Sequence, residues 1–439
     1  MSKNTIIVCA YSVYPYIKSS EGIVNKNWFD ILDNQKETAT YLLSTNTNID
    51  VFTENKSATL KTIESAKLKF IYDFSFAKKK SFYGFLYSIG NVIFKFFHKK
   101  NNLLTWYQKR LIDIQKKNIL EIINQKENVI VWARVLPMLS VIPVLEAYAK
   151  KKFPYIVNIN DPLDLNADQY SRHEEQVLLK TIDSAQCWTF PSQRLANIMI
   201  DKYSLDSARC FVIPHAMRQQ EQLYHGNKPT DRKLKFVYTG TFYKSAFTES
   251  FGKDLNKFCN TTQASQVEFT FILSQYDDYS LLWIKNNIPS ATIHFKLSRE
   301  EVLTITAQAD CMLIVDSVFH QDLLKGKLIE AISLGLPIFA ITYPNSVMDK
   351  VTIEYGGFSA YQNIEDSVFT VFLEITTKLR SKNWCDQFSI NRQSVMHKIS
   401  EKNIAKATIE IAQFANDRFL WKEKIKVLQP KIPTGYNWP

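Results

Sequence analysis

The chain has 439 residues, of which 46% are hydrophobic and 22% are charged. This is the composition of an ordinary globular protein, long enough for two or three domains with ample cores, and it excludes a fibrous or largely disordered chain. The formal net charge of +11 is typical of proteins whose partners are nucleotides, nucleic acids or anionic lipids, and equally of a lysine-rich proteome.

Three sequence features indicate a cytoplasmic protein. The opening residues, MSKNTIIVCAYSVYPY, lack the pattern of a secretory signal. No uninterrupted apolar run reaches the roughly 18 residues of a transmembrane helix. The cysteines form no C-x-x-C pair and several fall in predicted core strands, so we interpret all six as free thiols and not as a zinc site or a disulfide framework: Cys9, Cys187, Cys210, Cys259, Cys311 and Cys385.

The chain opens with the pattern of a Rossmann-like unit. A buried strand is predicted over Thr5–Ala10, and a polar loop leads to a helix that begins with Glu21–Asn25. Gly22 lies at the turn into this helix, although the GxGxxG fingerprint of dinucleotide binding is absent. Further strands are predicted over Asn48–Thr53 and Lys69–Tyr72.

The segment from Lys78 to Arg110 is unusually aromatic and basic. Apolar residues recur at helical spacing over Phe82–Phe97, and basic residues stand at both ends, at Lys78–Lys80 and at His98–Lys100. An aromatic apolar face with basic flanks is typical of a helix that lies in an anionic membrane interface. The alternative is a helix that packs its apolar face against the core of the first domain.

Two polar residues are predicted at the ends of neighbouring strands. A strand over Asn128–Ala133 ends at Arg134, and a strand over Tyr155–Asn160 ends at Asp161. Alternating strands and helices predict a parallel sheet, in which both side chains would lie at the same edge. Arg134 is therefore a candidate cleft or acceptor residue and Asp161 a candidate catalytic residue, although Asp161 could equally be the N-cap of a following loop or helix.

The second half of the chain begins after a polar segment without periodicity, Gln219–Asp231, which we interpret as a linker. A strand over Leu234–Thr239 restarts a sheet and ends at Gly240.

The most informative stretch runs from Ala309 to Thr342. A buried strand over Cys311–Val315 is followed by a polar loop, and then by a helix that starts near Lys325–Lys327 and is stopped by Gly335. The next buried strand is predicted over Leu336–Ile341. Because the N-terminal end of such a helix points its N–H groups at the carboxyl edge of the sheet, this stretch predicts an anion site.

The residues KLIEAISLGLPI from Lys327 onward resemble the donor-binding signature of retaining GT-B glycosyltransferases of the large family-4 type. In that family an acidic residue, seven further residues and a glutamate frame the nucleotide-sugar, which implies Asp322 and Glu330 here. The resemblance implies that Glu330 holds the ribose hydroxyls and that Asp322, where the family usually has glutamate, lies near the hydroxyls of the donor sugar. The alternative is that Glu330 is a surface carboxylate beside Lys327.

The same resemblance implies roles for five further residues. Gly22 and Gly240 would let the backbone approach the donor, and Lys244 and Lys327 would meet the negative charge of the departing diphosphate. Asp161 would lie close to the donor sugar or the acceptor hydroxyl. In such enzymes no metal is required and the leaving phosphate takes the acceptor proton, so the resemblance implies neither a metal site nor a cofactor.

The expected fold class is α/β with the GT-B architecture, in which two Rossmann-like parallel-sheet domains face each other across a cleft. We predict an N-terminal, acceptor-side domain over 1–218, a linker over 219–231, and a nucleotide-sugar-binding domain over 232–405. Residues 406–439 would form a helix that crosses back to the first domain, followed by a tail.

The expected function is a retaining, metal-independent glycosyltransferase of hexosyltransferase type. Its partners would be a nucleotide-sugar donor, a glycan or lipid-linked glycan acceptor of cell-surface polysaccharide synthesis, and the anionic inner face of the cell membrane. Two alternatives have other activities: a nucleotide-sugar 2-epimerase of the same architecture, and a non-catalytic GT-B-like subunit. Nucleic acid is not an expected partner, because the basic residues are spread out and form no recognised binding motif.

Overall fold

The computed structural model describes residues 4–14, 19–46, 62–65, 69–73, 106–135, 138–161, 172–216, 232–424, 429–433 and 438–439. The chain divides into two compact units. The first unit comprises Met1–Ala216 and Ile404–Trp438, and the second comprises Met217–Asn403 with Pro439. Each unit contains its own sheet and its own helices, which confirms the predicted α/β class with two Rossmann-like domains.

The first unit is built on one sheet, whose strands are β1 Asn4–Ala10, β2 Thr38–Asn46, β3 Thr62–Ser65, β4 Lys69–Asp73, β5 Val129–Val135, β6 Tyr155–Ile159, β7 Cys187–Phe190 and β8 Cys210–Val212. Its described helices are α1 Ser20–Asp33, α2 Trp106–Gln125, α3 Ile142–Lys150, α4 Arg172–Leu179, α5 Gln193–Tyr203 and α13 Glu401–Lys422.

The strand order of this sheet is β3-β4-β2-β1-β5-β6-β7-β8. The sheet is parallel except where β3 joins β4 in antiparallel register at one edge, which departs from the wholly parallel sheet that was predicted. The connection from β1 leads to β2 on one side, and the connection from β5 leads to β6 on the other side. Loops therefore diverge at the carboxyl ends of these two strands, which is the place where open α/β sheets bind ligands.

The strand that follows α1 differs from the prediction. It is β2, Thr38–Asn46, paired with β1 from Asn4 opposite Thr38 onward, whereas the predicted strand at Asn48–Thr53 lies outside the described residues. The TATYLLS sequence of β2 is rich in Thr and Tyr, which favour strands, and this signal was missed in the sequence. Residues 78–105 of the predicted membrane segment also lie outside the described residues. Its last five residues, 106–110, begin the helix α2.

The second unit has its own six-stranded sheet, with the strands β9 Leu234–Gly240, β10 Val267–Leu273, β11 Thr292–Phe295, β12 Cys311–Val315, β13 Ile338–Thr342 and β14 Phe358–Tyr361. Its helices are α6 Glu249–Cys259, α7 Asp278–Asn287, α8 Arg299–Ala307, α9 Gly326–Ser333, α10 Val347–Tyr355, α11 Ser367–Lys378 and α12 Lys382–Lys398. The strand order β11-β10-β9-β12-β13-β14 is that of a Rossmann sheet, and its direction reverses between β9 and β12.

Apolar side chains fill both faces of each sheet. In the first unit, one face is covered partly by α13, whose Phe414 packs edge-to-face on Phe211 with ring centroids 5.1 Å apart. Trp28 and Trp132 lie in the same cluster, with ring centroids 4.9 Å apart. All six cysteines are free, as predicted. None of the helices in the described residues is long and apolar enough to span a bilayer.

Candidate functional site

The helix α9 of the second unit begins and ends as its sequence predicts. Lys325 is its N-cap residue and provides no side-chain hydrogen bond to the first turn. At the other end Gly335 takes a left-handed conformation with φ 68°. The N–H of Gly335 donates to Ile332 O and that of Leu336 donates to Ala331 O, both at 3.0 Å, which is a complete Schellman motif.

Glu330 is held between two cations. Its side chain is 5% exposed, and its Oε1 and Oε2 lie 3.1 Å from Lys327 Nζ and 3.3 Å from Arg299 Nη1. Because two cations share one carboxylate, the group retains one positive charge for a further anion.

Gly240 and Lys327 are neighbours across the point where the strand order reverses. Gly240 ends β9 with a φ of 131°, and a Cβ atom added there would lie 3.9 Å from Lys327 Cε. Any other residue would be strained in this conformation, although its Cβ atom would make only an ordinary contact with the lysine stem. The structure thus brings together three residues that the sequence singled out, Gly240, Lys327 and Glu330.

The other lysine at the start of α9 is already neutralised. Lys325 Nζ lies 2.8 Å from Asp316 Oδ1, and the side chain of Asp316 is fully buried. The same carboxylate accepts hydrogen bonds from Ser317 N–H at 2.9 Å and from the Thr342 hydroxyl at 3.2 Å. This network anchors the start of the loop after β12, so Lys327 is the cation of this turn better placed for a ligand.

Two other predicted donor residues have different surroundings. Lys244 is exposed, and its Nζ lies 4.5 Å from the centre of the Tyr279 ring. Asp322 is half-buried on the loop between β12 and α9. Their proposed contacts with diphosphate and donor sugar stay predictions.

A second polar group lies at the carboxyl edge of the first sheet. We call it the Glu21 cluster; it consists of Glu21, Asn25, Arg134, Asn160 and Asp161. Asn160 Nδ2 donates to Glu21 Oε1 at 2.6 Å, and Arg134 Nε donates to Asn25 Oδ1. The guanidinium carbon lies 4.6 Å from the centre of the Trp28 ring, so the arginine is held between an amide and an aromatic face.

Burial shifts the pKa of each ionisable group in this cluster. Desolvation raises the pKa of Glu21 to about 7, an effect that the charge of Arg134 opposes and that of Asp161 reinforces. Desolvation also raises the pKa of Asp161 to about 6 and lowers that of Arg134 to about 10. Both carboxyl groups can therefore gain or lose a proton near neutral pH.

No protein-family model matches the chain, and no curated protein matches it in sequence. Solved structures do match. A trehalose-6-phosphate protein from E. coli, bound with UDP-2-fluoro glucose, aligns at a TM-score of 0.61 with 11% identity, over 93% of this chain and 99% of that one. A glycosyltransferase from Rickettsia africae aligns at 0.62 with 10% identity, over 94% and 99%. A UDP-N-acetylglucosamine 2-epimerase aligns at 0.52 with 13% identity, over 99% and 100%.

The chain has the GT-B fold. Identities this low establish the fold alone, so membership of the retaining family-4 type stays a prediction.

Some site residues could not be found from the sequence, because their partners are far away along the chain. Arg299 is the first residue of α8, and only the folded sheet places it beside Glu330. Glu21 and Asn25 are four residues apart on α1, a spacing that puts them on one helix face. The polar partner of Asn25 lies on the distant strand β5, and that of Glu21 directly follows β6. Gly22, a predicted donor residue, uses its N–H to donate to Ser19 Oγ at 2.9 Å, which caps α1.

Across the described part of this GT-B chain, no group of three or more His, Cys, Asp and Glu side chains could hold a metal ion. The metal independence of the activity stays a prediction.

Proposed function

We propose that this protein is a glycosyltransferase that moves a sugar from a nucleotide-sugar donor to a glycan or lipid-linked glycan acceptor. The observation that carries the proposal is Glu330, held by Arg299 and Lys327 at the carboxyl edge of the second sheet. It lies on α9, whose first turn lacks a capping side chain. The similar E. coli protein was solved with UDP-2-fluoro glucose, which supports a nucleotide-sugar as the donor.

The arrangement suits a nucleoside diphosphate. Lys327 and the free N–H groups of a helix N-terminus attract phosphate oxygens, and their effect grows as the departing diphosphate gains charge. The carboxylate of Glu330 can accept hydrogen bonds from the ribose hydroxyls. In this proposal Gly240 lets the donor approach the backbone, Asp322 contacts the donor sugar, and Lys244 assists Lys327.

We extend the proposal to a retaining and metal-independent reaction on a cell-surface polysaccharide acceptor, at the inner face of the cell membrane. The likeness of Lys327–Pro337 to the family-4 signature supports retention. The basic aromatic sequence of Lys78–Arg110 supports peripheral binding to an anionic surface. Asp161 and Arg134 would then serve the acceptor side in the first unit.

Calorimetry with UDP, GDP and CMP tests the nucleotide site and identifies the base. Glu330→Gln should weaken binding of the preferred nucleotide by about 1–3 kcal/mol, the cost of losing a charge-assisted hydrogen bond. Glu268→Gln is the matched control, because Glu268 is exposed near the opposite end of β10.

Inorganic pyrophosphate sharpens this experiment because it lacks ribose. Glu330→Gln leaves Arg299 and Lys327 without a counter-charge, so pyrophosphate should bind the variant at least as tightly as the wild type. Unchanged nucleotide affinity in a folded variant would contradict the role of Glu330 in holding ribose.

A nucleotide-sugar 2-epimerase is the second candidate. It is favoured by the raised pKa values of Glu21 and Asp161, since epimerisation needs groups that exchange protons near neutral pH, and by the structural likeness to a UDP-N-acetylglucosamine 2-epimerase. Incubation with UDP-N-acetylglucosamine in deuterated water, without acceptor, separates the two. Deuterium at C2 and the C2 epimer would identify an epimerase.

A further inference from the structure

The Glu21 cluster lies at a position that favours ligand binding. Arg134 is the penultimate residue of β5, and Glu21 is on the helix that follows β1. The strand order of the first sheet reverses between these two strands, and open α/β sheets bind ligands at the carboxyl ends of strands where such a reversal occurs.

The cluster has hydrogen-bonding capacity that the described protein does not use. Arg134 is 4% exposed. Within the described residues, its guanidinium makes a hydrogen bond through Nε, which donates to Asn25 Oδ1. Within the same described residues, neither its terminal amino groups nor the carboxylate of Asp161 has a hydrogen-bonding partner. These atoms are not among the fully buried, unpaired polar atoms of the described residues, so they are available to a polar ligand at this edge of the sheet.

Exposure within the cluster is graded. The side chains of Asn25, Arg134 and Asn160 are buried, whereas Glu21 and Asp161 are half-buried. A ligand can therefore reach the two carboxyl groups. Asn160 fixes Glu21 directly, at 2.6 Å.

The charge of the cluster limits the kind of ligand. It combines the guanidinium of Arg134 with two carboxyl groups that titrate near neutral pH, so its net charge there lies between zero and minus one. The carboxylates of the cluster would therefore repel a phosphate group about as strongly as Arg134 would attract it. An uncharged sugar ring instead presents neighbouring hydroxyls, each both donor and acceptor, which match carboxylate acceptors beside guanidinium donors.

We propose that the Glu21 cluster binds neighbouring hydroxyls of an uncharged sugar ring, with Glu21 and Asp161 accepting hydroxyl hydrogens and Arg134 donating to a hydroxyl oxygen. That this ring belongs to the acceptor rests on the proposed glycosyltransferase function. The acceptor would then carry no charge on the ring that the cluster binds, and Glu21 would be a binding residue.

Saturation-transfer NMR on the full chain tests the site. The probes are the methyl α-glycosides of glucose, galactose and mannose, the 6-phosphates of the three sugars, and UDP as a reporter of the second unit. At least one neutral glycoside should bind the wild type, and more tightly than its phosphate. Glu21→Ala and Asp161→Ala should each weaken that binding about tenfold or more, the effect of losing a hydrogen bond to a charged group.

Glu37→Ala is the matched control, because Glu37 is an exposed glutamate of the same unit and its loss should change nothing. UDP binding by each variant shows that the second unit is folded, and the near-ultraviolet circular dichroism of Trp28 and Trp132 reports on the first. Three results would overturn the proposal: no neutral glycoside binds a wild type that binds UDP, phosphates bind more tightly, or Glu37→Ala weakens binding equally. Sugar binding without binding of any nucleotide would refute the proposed function instead.

Discussion

Replacing Glu21 by glutamine should stabilise the first unit, increasingly so as the pH rises. Burial raises the pKa of this carboxyl from 4.5 to about 7 in the folded protein. One pKa unit corresponds to about 1.4 kcal/mol, so ionised Glu21 costs the folded state about 3 kcal/mol relative to the unfolded chain. Glutamine fills the same space, keeps an acceptor for Asn160, and never ionises.

The sign follows from which state loses its proton first. The unfolded chain releases the Glu21 proton as the pH passes 4.5, whereas the folded protein keeps it until about 7. Between these values the folded state binds more protons, so wild-type stability falls as the pH rises. The stability difference between Glu21→Gln and wild type should therefore grow by about 2–3 kcal/mol between about pH 5 and about pH 8.

Urea unfolding followed by tryptophan fluorescence measures this difference, because Trp28 and Trp132 report on the core beside the cluster. Glu37→Gln removes an exposed carboxylate of the same unit and should show no such trend. A difference between Glu21→Gln and wild type that stays constant across the pH range would refute the argument, since it would mean that Glu21 titrates as an ordinary glutamate. Such a gain in stability with a loss of sugar binding is the usual sign of a functional residue.

Three further outcomes are expected. Lys327→Ala should lower turnover more than donor affinity, because the charge that it meets grows in the transition state; wild-type turnover at saturating donor would contradict this. Asp310→Ala should destabilise the second unit by about 1.5–3 kcal/mol in urea unfolding, the cost of losing hydrogen bonds to a charged group, because this fully buried carboxylate accepts from both terminal nitrogens of Arg232, at 2.8 and 2.7 Å; a loss below about 0.5 kcal/mol, the size expected for an exposed pair, would show that the ion pair is dispensable. Phe85→Asp with Phe96→Asp should leave the protein folded and reduce its sedimentation with anionic vesicles; an unfolded double variant would favour the core-packing alternative.

The sequence by itself determined the features that depend on neighbouring residues. The helix at Gly326–Ser333, its stop at Gly335 and the buried strands on both sides follow from apolar runs and from a glycine that alone tolerates the left-handed turn. The placement of Arg134 and Asp161 at strand ends follows from the same local signals. The two-domain α/β class follows from the alternation of such elements along the chain.

The tertiary structure decided which of these elements meet. Asn160 and Glu21 are 139 residues apart in the chain, and Arg299 and Glu330 are 31 apart. Periodicity carries no information about strand order, and it is the strand order that brings β1 beside β5 and β9 beside β12. The two polar groups, and the raised pKa of Glu21, therefore exist only in the folded protein, because desolvation depends on everything that packs around a side chain and not on its neighbours in sequence.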